Sequence, residues 1–235
     1  VPREPLVPRR LGKNMCVPFG KILRGKVVPN TVTKTLHTDK VYEPDLNSFT
    51  IEPFPYYSPL KSQIETIKSF DRPVILVDDL VHMANRLQVL VPQFREDGIP
   101  IKKVVVGVLS GYGRDLMQCL KVPVESIYSM PNLRQWFVES TLYPFIGGDT
   151  VRREEMKVAG LQPSINMILP YATPRLSGCS REALVEFSAC CIENSRDLFQ
   201  VLEAEYRKMY AKNLTLSRLS EAVILPLCPD KGSCM

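Results

Sequence analysis

The chain has 235 residues, of which 45% are hydrophobic and 23% are charged, as in an ordinary globular protein. This composition excludes wholesale disorder, and the length suits one core with an appendage. No apolar run approaches the roughly 20 residues of a membrane-spanning helix, so we expect no membrane partner. No signal-peptide pattern opens the chain, and the first residue is valine, which indicates a processed chain or a fragment of a longer protein.

The positive charge is concentrated at the N-terminus. Residues 1–40 hold nine Lys/Arg and two acidic residues, a net charge of +7, whereas the other residues together carry −2. A nucleic-acid-binding domain usually spreads basic charge over a whole face and adds a recognition motif, and this sequence has neither. The distribution therefore favours a small anionic ligand over nucleic acid as the partner.

The cysteines favour a reducing environment. There are seven, an odd number, and they form no C-x-x-C pair. A chain of this length does not need disulfides for stability, so we expect a cytoplasmic protein with free thiols. A structural zinc site needs paired ligands at short spacing, and the sequence does not provide them.

The first 50 residues differ in pattern from the rest. Prolines punctuate residues 1–20, which we interpret as an extended, basic arm or the remnant of a linker. Short β-branched runs over residues 21–50 favour a small antiparallel β lobe. We therefore assign residues 1–50 to a Pro-rich arm and a small β lobe.

Residues 51–175 alternate between helical and strand patterns. The alternation predicts an α/β core, a mostly parallel sheet with helices on both faces. Ser58 is expected to cap the first helix. The predicted helices cover 59–70, 83–96, 114–120 and 133–142, and the predicted strands cover 74–77, 104–109, 124–128 and 165–169.

The C-terminal part, residues 176–235, is expected to be a helical appendage. Apolar residues recur at helical spacing and predict one long helix from about Ser180 to Ala211. This stripe must pack on the body or on a second copy, so we expect a homodimer through this helix if the body leaves it open. Its members are Leu184, Phe187, Cys191, Leu198, Leu202, Tyr206 and Met209.

Two adjacent carboxylates follow the first core strand. The apolar run Val74–Val77 leads directly into Asp78 and Asp79. Ligands of open α/β sheets bind beyond the carboxyl ends of the strands, and neighbouring carboxylates are retained where ribose hydroxyls, a metal ion or a basic residue balances their charge. The alternative is structural, with Asp78 capping a helix and Asp79 solvated.

A buried strand that ends in two acidic residues and then a loop opening a helix resembles the phosphoribosyl-pyrophosphate (PRPP) motif of type I phosphoribosyltransferases. The resemblance is specific over residues 74–87 and extends over about 55–145. It implies the phosphoribosyltransferase fold, with Asp78 and Asp79 holding the ribose hydroxyls and a phosphorylated ribose as ligand. It also implies Mg²⁺ as a cofactor and transfer of a phosphoribosyl group to a nitrogen base.

The loop after the acidic pair departs from the family pattern. Where the family has Thr-Gly-Gly-Thr, this chain has Met83, Ala84, Asn85 and Arg86. We expect Met83 and Ala84 to avoid positive φ, which alters the phosphate-binding backbone, and Arg86 to supply a charge-assisted contact instead. The departure favours the alternative function, a catalytically inactive nucleotide-binding or regulatory module of a larger protein.

The loop after the second core strand is a second candidate for the phosphates. Ser110, Gly111, Tyr112, Gly113 and Arg114 lie where a strand meets a helix, and right-handed crossovers should place them beside Asp78. Together with Asn85 and Arg86 they form the predicted phosphate-binding set. The alternative is a tight connection whose glycines allow close packing of strand and helix.

His82, within the acidic loop, is the candidate general acid or base, and a purely structural histidine is the alternative. With Asp78 and Asp79 it completes the predicted catalytic set, which includes no protein-bound metal. Lys34, His37 and Lys40 either belong to a solvated hairpin or converge on a phosphate.

Two aromatic-containing segments are interpreted structurally. Trp136 is interpreted as a core residue rather than a base-stacking one. Residues 145–149 are interpreted as a turn.

Overall fold

The computed structural model describes residues 12–20, 31–43, 48–134, 136, 149–151, 164–165 and 179–215. Two compact units divide the chain, the first being Val1–Thr38 with Ile51–Leu133 and the second Asp39–Thr50 with Arg134–Met235. In chain order the elements are β1 (Met15–Pro18), β2 (Val32–Thr33), β3 (Thr38–Tyr42), β4 (Phe49–Pro53), α1 (Leu60–Lys68), β5 (Val74–Val81), α2 (Asn85–Glu96), β6 (Ile101–Ser110), α3 (Gly111–Cys119), β7 (Val124–Met130), β8 (Asp149–Val151), β9 (Ser164–Ile165) and α4 (Arg181–Tyr210).

The first unit contains a five-stranded parallel sheet in the order β2-β1-β5-β6-β7. The α/β class and the mostly parallel sheet are thus confirmed, as are the adjacent strands β5 and β6 with α2 between them. The chain moves outward from β1 to β2 and then crosses back to β5, so its winding direction reverses between β1 and β5. In doubly wound sheets this reversal opens a crevice at the carboxyl edge.

The three helices that the structure describes in this unit are neighbours. A cavity of about 380 Å³ is lined by Lys61 of α1 and Gln93 of α2, and Arg95 of α2 donates to the carbonyl of Leu120 at the end of α3. These contacts place the helices side by side on one face of the sheet. The connection from β1 to β2 lies outside the described residues, so helices on both faces remain a prediction.

The core lies between this sheet and the helices. Leu87, Leu90, Val91 and Phe94 form the buried stripe of α2, each no more than 1% exposed. The sequence places them at i, i+3, i+4 and i+7, which is the spacing of one helical face. α1 starts one residue later than expected, with Pro59 rather than Ser58 at its N-cap.

The N-terminal residues belong to the main sheet. Met15–Pro18 was expected in an extended arm and Val32–Thr33 in an antiparallel lobe, but both are parallel strands of the main sheet, β1 beside β5 and β2 beside β1. Met15 and Val17 are fully buried. A four-residue strand whose partner lies some 60 residues away leaves no periodicity long enough to be recognised in the sequence.

A second sheet has the order β4-β3-β8-β9, with β3 and β8 parallel and β8 and β9 antiparallel. The strand expected over 165–169 therefore begins in this sheet and not in the main one, and its remainder lies outside the described residues. The helix expected over 133–142 also lies mostly outside them, and Leu133 and Arg134 are not helical.

The long C-terminal helix is confirmed. α4 spans Arg181–Tyr210, and the hydroxyl of Ser180 accepts a hydrogen bond from the Ala183 amide at 3.2 Å, as an N-cap does. Its buried residues are Ser188, Cys191 and Ser195, while Leu202 and Met209 of the predicted stripe are exposed. Homodimer formation through α4 stays a prediction. None of the helices within the described ranges is long and apolar enough to cross a bilayer.

The N-terminus of α3 packs directly against β5. A Cβ added to Gly113 would lie 2.2 Å from the carbonyl oxygen of Val81, a backbone atom that cannot move aside. Gly113 therefore allows helix and strand to approach closely, and this explains the glycine without a ligand.

We expect Gly113→Ala to destabilise the protein by about 3 kcal/mol, at the upper end of overpacking costs, in urea unfolding. If Gly113 did not lie against the Val81 carbonyl, replacing a helical glycine by alanine would instead stabilise the protein by about 1 kcal/mol. Gly98→Ala is the control, because Gly98 has φ +71° and open space around it. Its backbone strain should cost only about 1 kcal/mol, and equal losses in the two variants would contradict the packing argument.

Candidate functional site

The acidic pair lies where β1 ends beside β5. The last β1 pair is Pro18 with Val77, whereas β5 continues to Val81 along β6. The prediction that the strand stops before Asp78 is therefore wrong, because pairing with β6 carries the strand through both acidic residues. On the β1 side, however, Asp78 lies just beyond the sheet, at the point where the winding direction reverses.

Asp78 is a buried carboxylate paired with one arginine. It is 7% exposed, and Nη1 of Arg86 lies 3.1 Å from Oδ1 and 3.2 Å from Oδ2. Oδ1 also accepts the Asp79 amide at 3.1 Å. Burial raises the pKa of Asp78 to about 7, although the Arg86 charge acts in the opposite direction. Asp78 caps no helix, since Ala84 is the N-cap of α2.

Asp79 is exposed and differs in this from its neighbour. Its Oδ1 accepts the amide of Leu80 at 2.8 Å. The two carboxylates therefore do not form a symmetrical pair, because one is buried against an arginine and the other faces solvent. Of the two, only Asp79 is readily accessible to a ligand.

Arg86 is held between Asp78 and Phe19, the residue that follows β1. Its guanidinium carbon lies 5.2 Å from the ring centroid of Phe19, which is itself 1% exposed. The Arg86 side chain remains 33% exposed, and within the described ranges only Nη1 has a hydrogen-bond partner. Nε and Nη2 are thus available to an anion. Sequence reasoning missed Phe19, because β1 itself was not recognised.

The loop before α2 retains a left-handed residue. Ala84 has φ 50° and ψ 23°, so the expectation that Ala84 avoids positive φ is wrong. Its carbonyl accepts the Gln88 amide at 2.8 Å, and the Gln88 side chain donates to the Met83 carbonyl. These two bonds hold the turn in a conformation that glycine would adopt more easily. Asn85 is the first residue of α2.

The loops after β5 and β6 are in contact, as the crossover topology predicts. Nδ1 of His82 lies 2.9 Å from Oγ of Ser110, which is 1% exposed and also accepts the Gly113 amide at 2.9 Å. The His82 ring meets the half-exposed Tyr112 ring edge-on at 6.3 Å. The Ser110 hydroxyl thus caps α3 and orients the imidazole.

The remaining residues of the second loop have structural contacts. Gly111 lies against the carbonyl of Pro131, which an added Cβ would approach to 2.6 Å. The exposed Arg114 donates to Oγ of Ser129 at 2.6 Å. Both contacts tie the start of α3 to the end of β7, so that the carboxyl ends of β5, β6 and β7 form one continuous edge.

The residues at this edge do not fit a protein-held Mg²⁺. No group of three or more His, Cys, Asp or Glu side chains suited to a metal occurs within the described ranges. Both oxygens of Asp78 already contact the Arg86 cation, which would repel a divalent ion placed beside them. Asp79 alone is too few ligands for a dedicated site.

Other candidates from the sequence lie elsewhere. His37 stacks on Tyr57 with ring centroids 3.6 Å apart, and burial together with nearby Lys34 lowers its pKa. Lys40 in β3 lies over the rings of Tyr42 and Phe49, 4.4 Å from each centroid. His37 and Lys40 therefore each contact other residues of the protein.

Of the two segments with aromatic residues, the described residues include Trp136 but only the last residue of 145–149. Trp136 is 46% exposed, so its interpretation as a core residue is wrong. The turn expected over 145–149 lies outside the described residues, except that Asp149 begins β8.

No protein-family model matches this chain, and a comparison with curated proteins finds no match. The functional interpretation therefore depends on the contacts at the carboxyl edge.

The buried carboxylate makes stability depend on pH. Because the pKa of Asp78 is higher in the folded chain than in the unfolded one, the folded state binds the extra proton between about pH 4 and pH 7. The contribution of the Asp78 carboxyl to the free energy of unfolding is fully present below pH 4 and is lost as the pH rises through 7. The loss is on the order of 4 kcal/mol, from three pKa units at 1.36 kcal/mol each.

We therefore expect Asp78→Asn to match the wild type in melting temperature near pH 4 and to exceed it near pH 8. Thermal unfolding at both pH values measures this difference. Asp79→Asn is the matched control, because it removes the exposed neighbour and leaves Asp78 buried, so the decline with pH should persist. A melting temperature of Asp78→Asn that stays below that of the wild type at pH 8 would contradict the prediction.

Proposed function

We propose that this chain binds a phosphorylated ribose or a nucleotide at the carboxyl edge of its parallel sheet, with a fold and ligand class similar to those of type I phosphoribosyltransferases. The observation that carries the proposal is the ion pair of Asp78 with Arg86 at the reversal point between β1 and β5, which leaves the guanidinium side chain 33% exposed, with the exposed carboxylate of Asp79 next along the strand. A ribose phosphate offers hydroxyls to Asp79 and an anion to Arg86.

Each group has a distinct role in this proposal. Asp79 accepts hydrogen bonds from the ribose hydroxyls, and Arg86 binds the phosphate through Nε and Nη2. The first turn of α2, which has no side-chain cap, adds backbone amides on the same side. Asp78 orients Arg86 from beneath. The exposed Arg114 is the candidate for a second phosphate group.

The main proposal is binding without turnover. The ion pair with Arg86 occupies Asp78, one of the two carboxylates that the resemblance implies for the ribose hydroxyls, and the residues do not fit a protein-held Mg²⁺. Both observations favour a nucleotide-binding or regulatory module. Magnesium remains a prediction from the family resemblance, and Mg²⁺-dependent ligand binding would support it.

Location and assembly also remain proposals. The described cysteines are all free, which supports a reducing, cytoplasmic setting. The exposed Val185, Ile192 and Val201 of α4 support self-association through that helix.

Ligand-induced stabilisation tests the binding proposal. We expect PRPP, ribose 5-phosphate or a nucleoside monophosphate to raise the melting temperature, with about 2.7 kcal/mol gained at a hundredfold excess over Kd. Asp79→Asn should weaken binding at least tenfold while leaving the fold intact, because the side chain is exposed. Asp97→Asn, at the opposite end of α2, is the matched control and should bind as the wild type does. Failure of all these compounds to bind would contradict the proposal.

Phosphoribosyl transfer is the second candidate, and His82 is the observation that favours it. Ser110 holds Nδ1, and Nε2 has no hydrogen-bond partner within the described ranges, so it is available to exchange a proton with a nitrogen base. Transfer would release pyrophosphate from PRPP in the presence of an acceptor base. We expect His82→Gln to lower that release at least a hundredfold with little effect on PRPP binding, whereas no release from the wild type with any base supports binding alone.

A further inference from the structure

We propose that Arg86 replaces a divalent cation at Asp78, so that the site takes a ribose phosphomonoester without Mg²⁺. The inference rests on the proposed function and adds to it the class of ligand: ribose 5-phosphate or a nucleoside monophosphate, rather than a magnesium-bound diphosphate.

The first step of the argument is the occupancy of the Asp78 oxygens. Nη1 of Arg86 contacts Oδ1 and Oδ2 at 3.1 and 3.2 Å, and the Asp79 amide donates to Oδ1. A magnesium ion binds carboxylate oxygens at about 2.0–2.1 Å and keeps a full octahedron of oxygen ligands around itself. With Asp78 only 7% exposed, that octahedron has no room on a carboxylate that Arg86 already covers.

The second step is that Arg86 is a fixed part of the site. It lies in the first turn of α2, and its guanidinium is held between the Asp78 carboxylate and the buried ring of Phe19. Three separate parts of the chain, the residue after β1, β5 and α2, therefore position the charge. A surface arginine with no such contacts would be free to move away when a metal ion arrives.

The third step concerns the ligand side of the guanidinium. One of its three nitrogens neutralises Asp78, and Nε and Nη2 have no partner within the described ranges. Such an edge matches two oxygens of a phosphate in a bidentate arrangement. The charge balance also fits, because Arg86 faces a carboxylate on one side and an anion on the other, which is the bridging role that Mg²⁺ has between acidic residues and phosphates.

Isothermal titration of the full chain with ribose 5-phosphate and with AMP, in excess EDTA and in millimolar Mg²⁺, tests the inference. We expect the wild type to bind with Kd values that agree within twofold between the two conditions. Arg86→Gln should bind at least tenfold more weakly in EDTA and regain affinity in Mg²⁺, because Asp78 is then open to the ion. Arg95→Gln, in the same helix but bonded to the carbonyl of Leu120, is the matched control.

A double variant separates this effect from misfolding. Asp78→Asn with Arg86→Gln removes the buried carboxylate together with its partner charge and should fold, but Mg²⁺ should not restore its binding. Direct titration with Mn²⁺ alone, followed by electron paramagnetic resonance, should show binding to Arg86→Gln and none to the wild type or the double variant.

The outcomes distinguish the two proposals. Wild-type binding that disappears in EDTA and returns with Mg²⁺ overturns the role of Arg86 and leaves the proposed function standing. Unchanged affinity of Arg86→Gln in EDTA also overturns it. Absence of binding to ribose 5-phosphate, AMP and PRPP under both conditions overturns the proposed function, and this inference with it.

Discussion

The site depends on an unequal strand length at the centre of the main sheet. β1 stops at Pro18, and β5 continues four residues beyond the last β1 pair. Asp78 is buried, but it has no β1 residue paired with it on that side of β5. A carboxylate in that position needs a counter-charge, because burial without one costs several kcal/mol. Arg86 provides the charge, and the geometry of the loop and of the start of α2 follows from the need to bring it there.

The strands and helices that follow one another locally could be predicted from the sequence. β5, α2, β6, α3 and β7 each have an apolar pattern of the right period, and the right-handed crossover rule then places them side by side. β1 and β2 could not be predicted in the same way. Their pairing is non-local, and two to four residues contain too few positions to show a period. Prolines in the surrounding residues point to a linker although one of them ends a central strand.

The extent of β5 shows how tertiary pairing overrides local preference. Asp is disfavoured in strands, so ending the strand before Asp78 is the natural interpretation. Across the ladder, however, Asp78 pairs with Val106 and Leu80 with Val108. Gly107 lies between these two, and any side chain there would come within 2.8 Å of the Asp79 carbonyl. The two strands can approach closely here because β6 has a glycine opposite the Asp79 backbone.

At the site itself, the sequence predicted where the charged groups lie, but it did not predict which residues they would contact. The acidic pair and the Ser110 loop are neighbours, as the topology requires. The ion pair between Asp78 and Arg86 joins a strand to the helix that follows it, across a turn whose shape depends on Ala84. Ala84 was expected to avoid positive φ on steric grounds. Its left-handed conformation costs about 1 kcal/mol, and the hydrogen bonds that hold the turn offset this cost. No local sequence pattern indicates that hydrogen bonds will offset the cost of a left-handed residue.

The departure of this loop from the phosphoribosyltransferase pattern therefore has two separable parts. The left-handed backbone at Ala84 shows that losing the glycines does not by itself abolish the turn. The charge is the second difference from that pattern, because this chain has a fixed cation, Arg86, beside Asp78 where the pattern has a neutral residue. Under the proposed function, a loop that keeps its turn and carries a fixed cation can still hold an anion. The missing Thr-Gly-Gly-Thr residues are therefore compatible with the proposal of a different phosphate ligand.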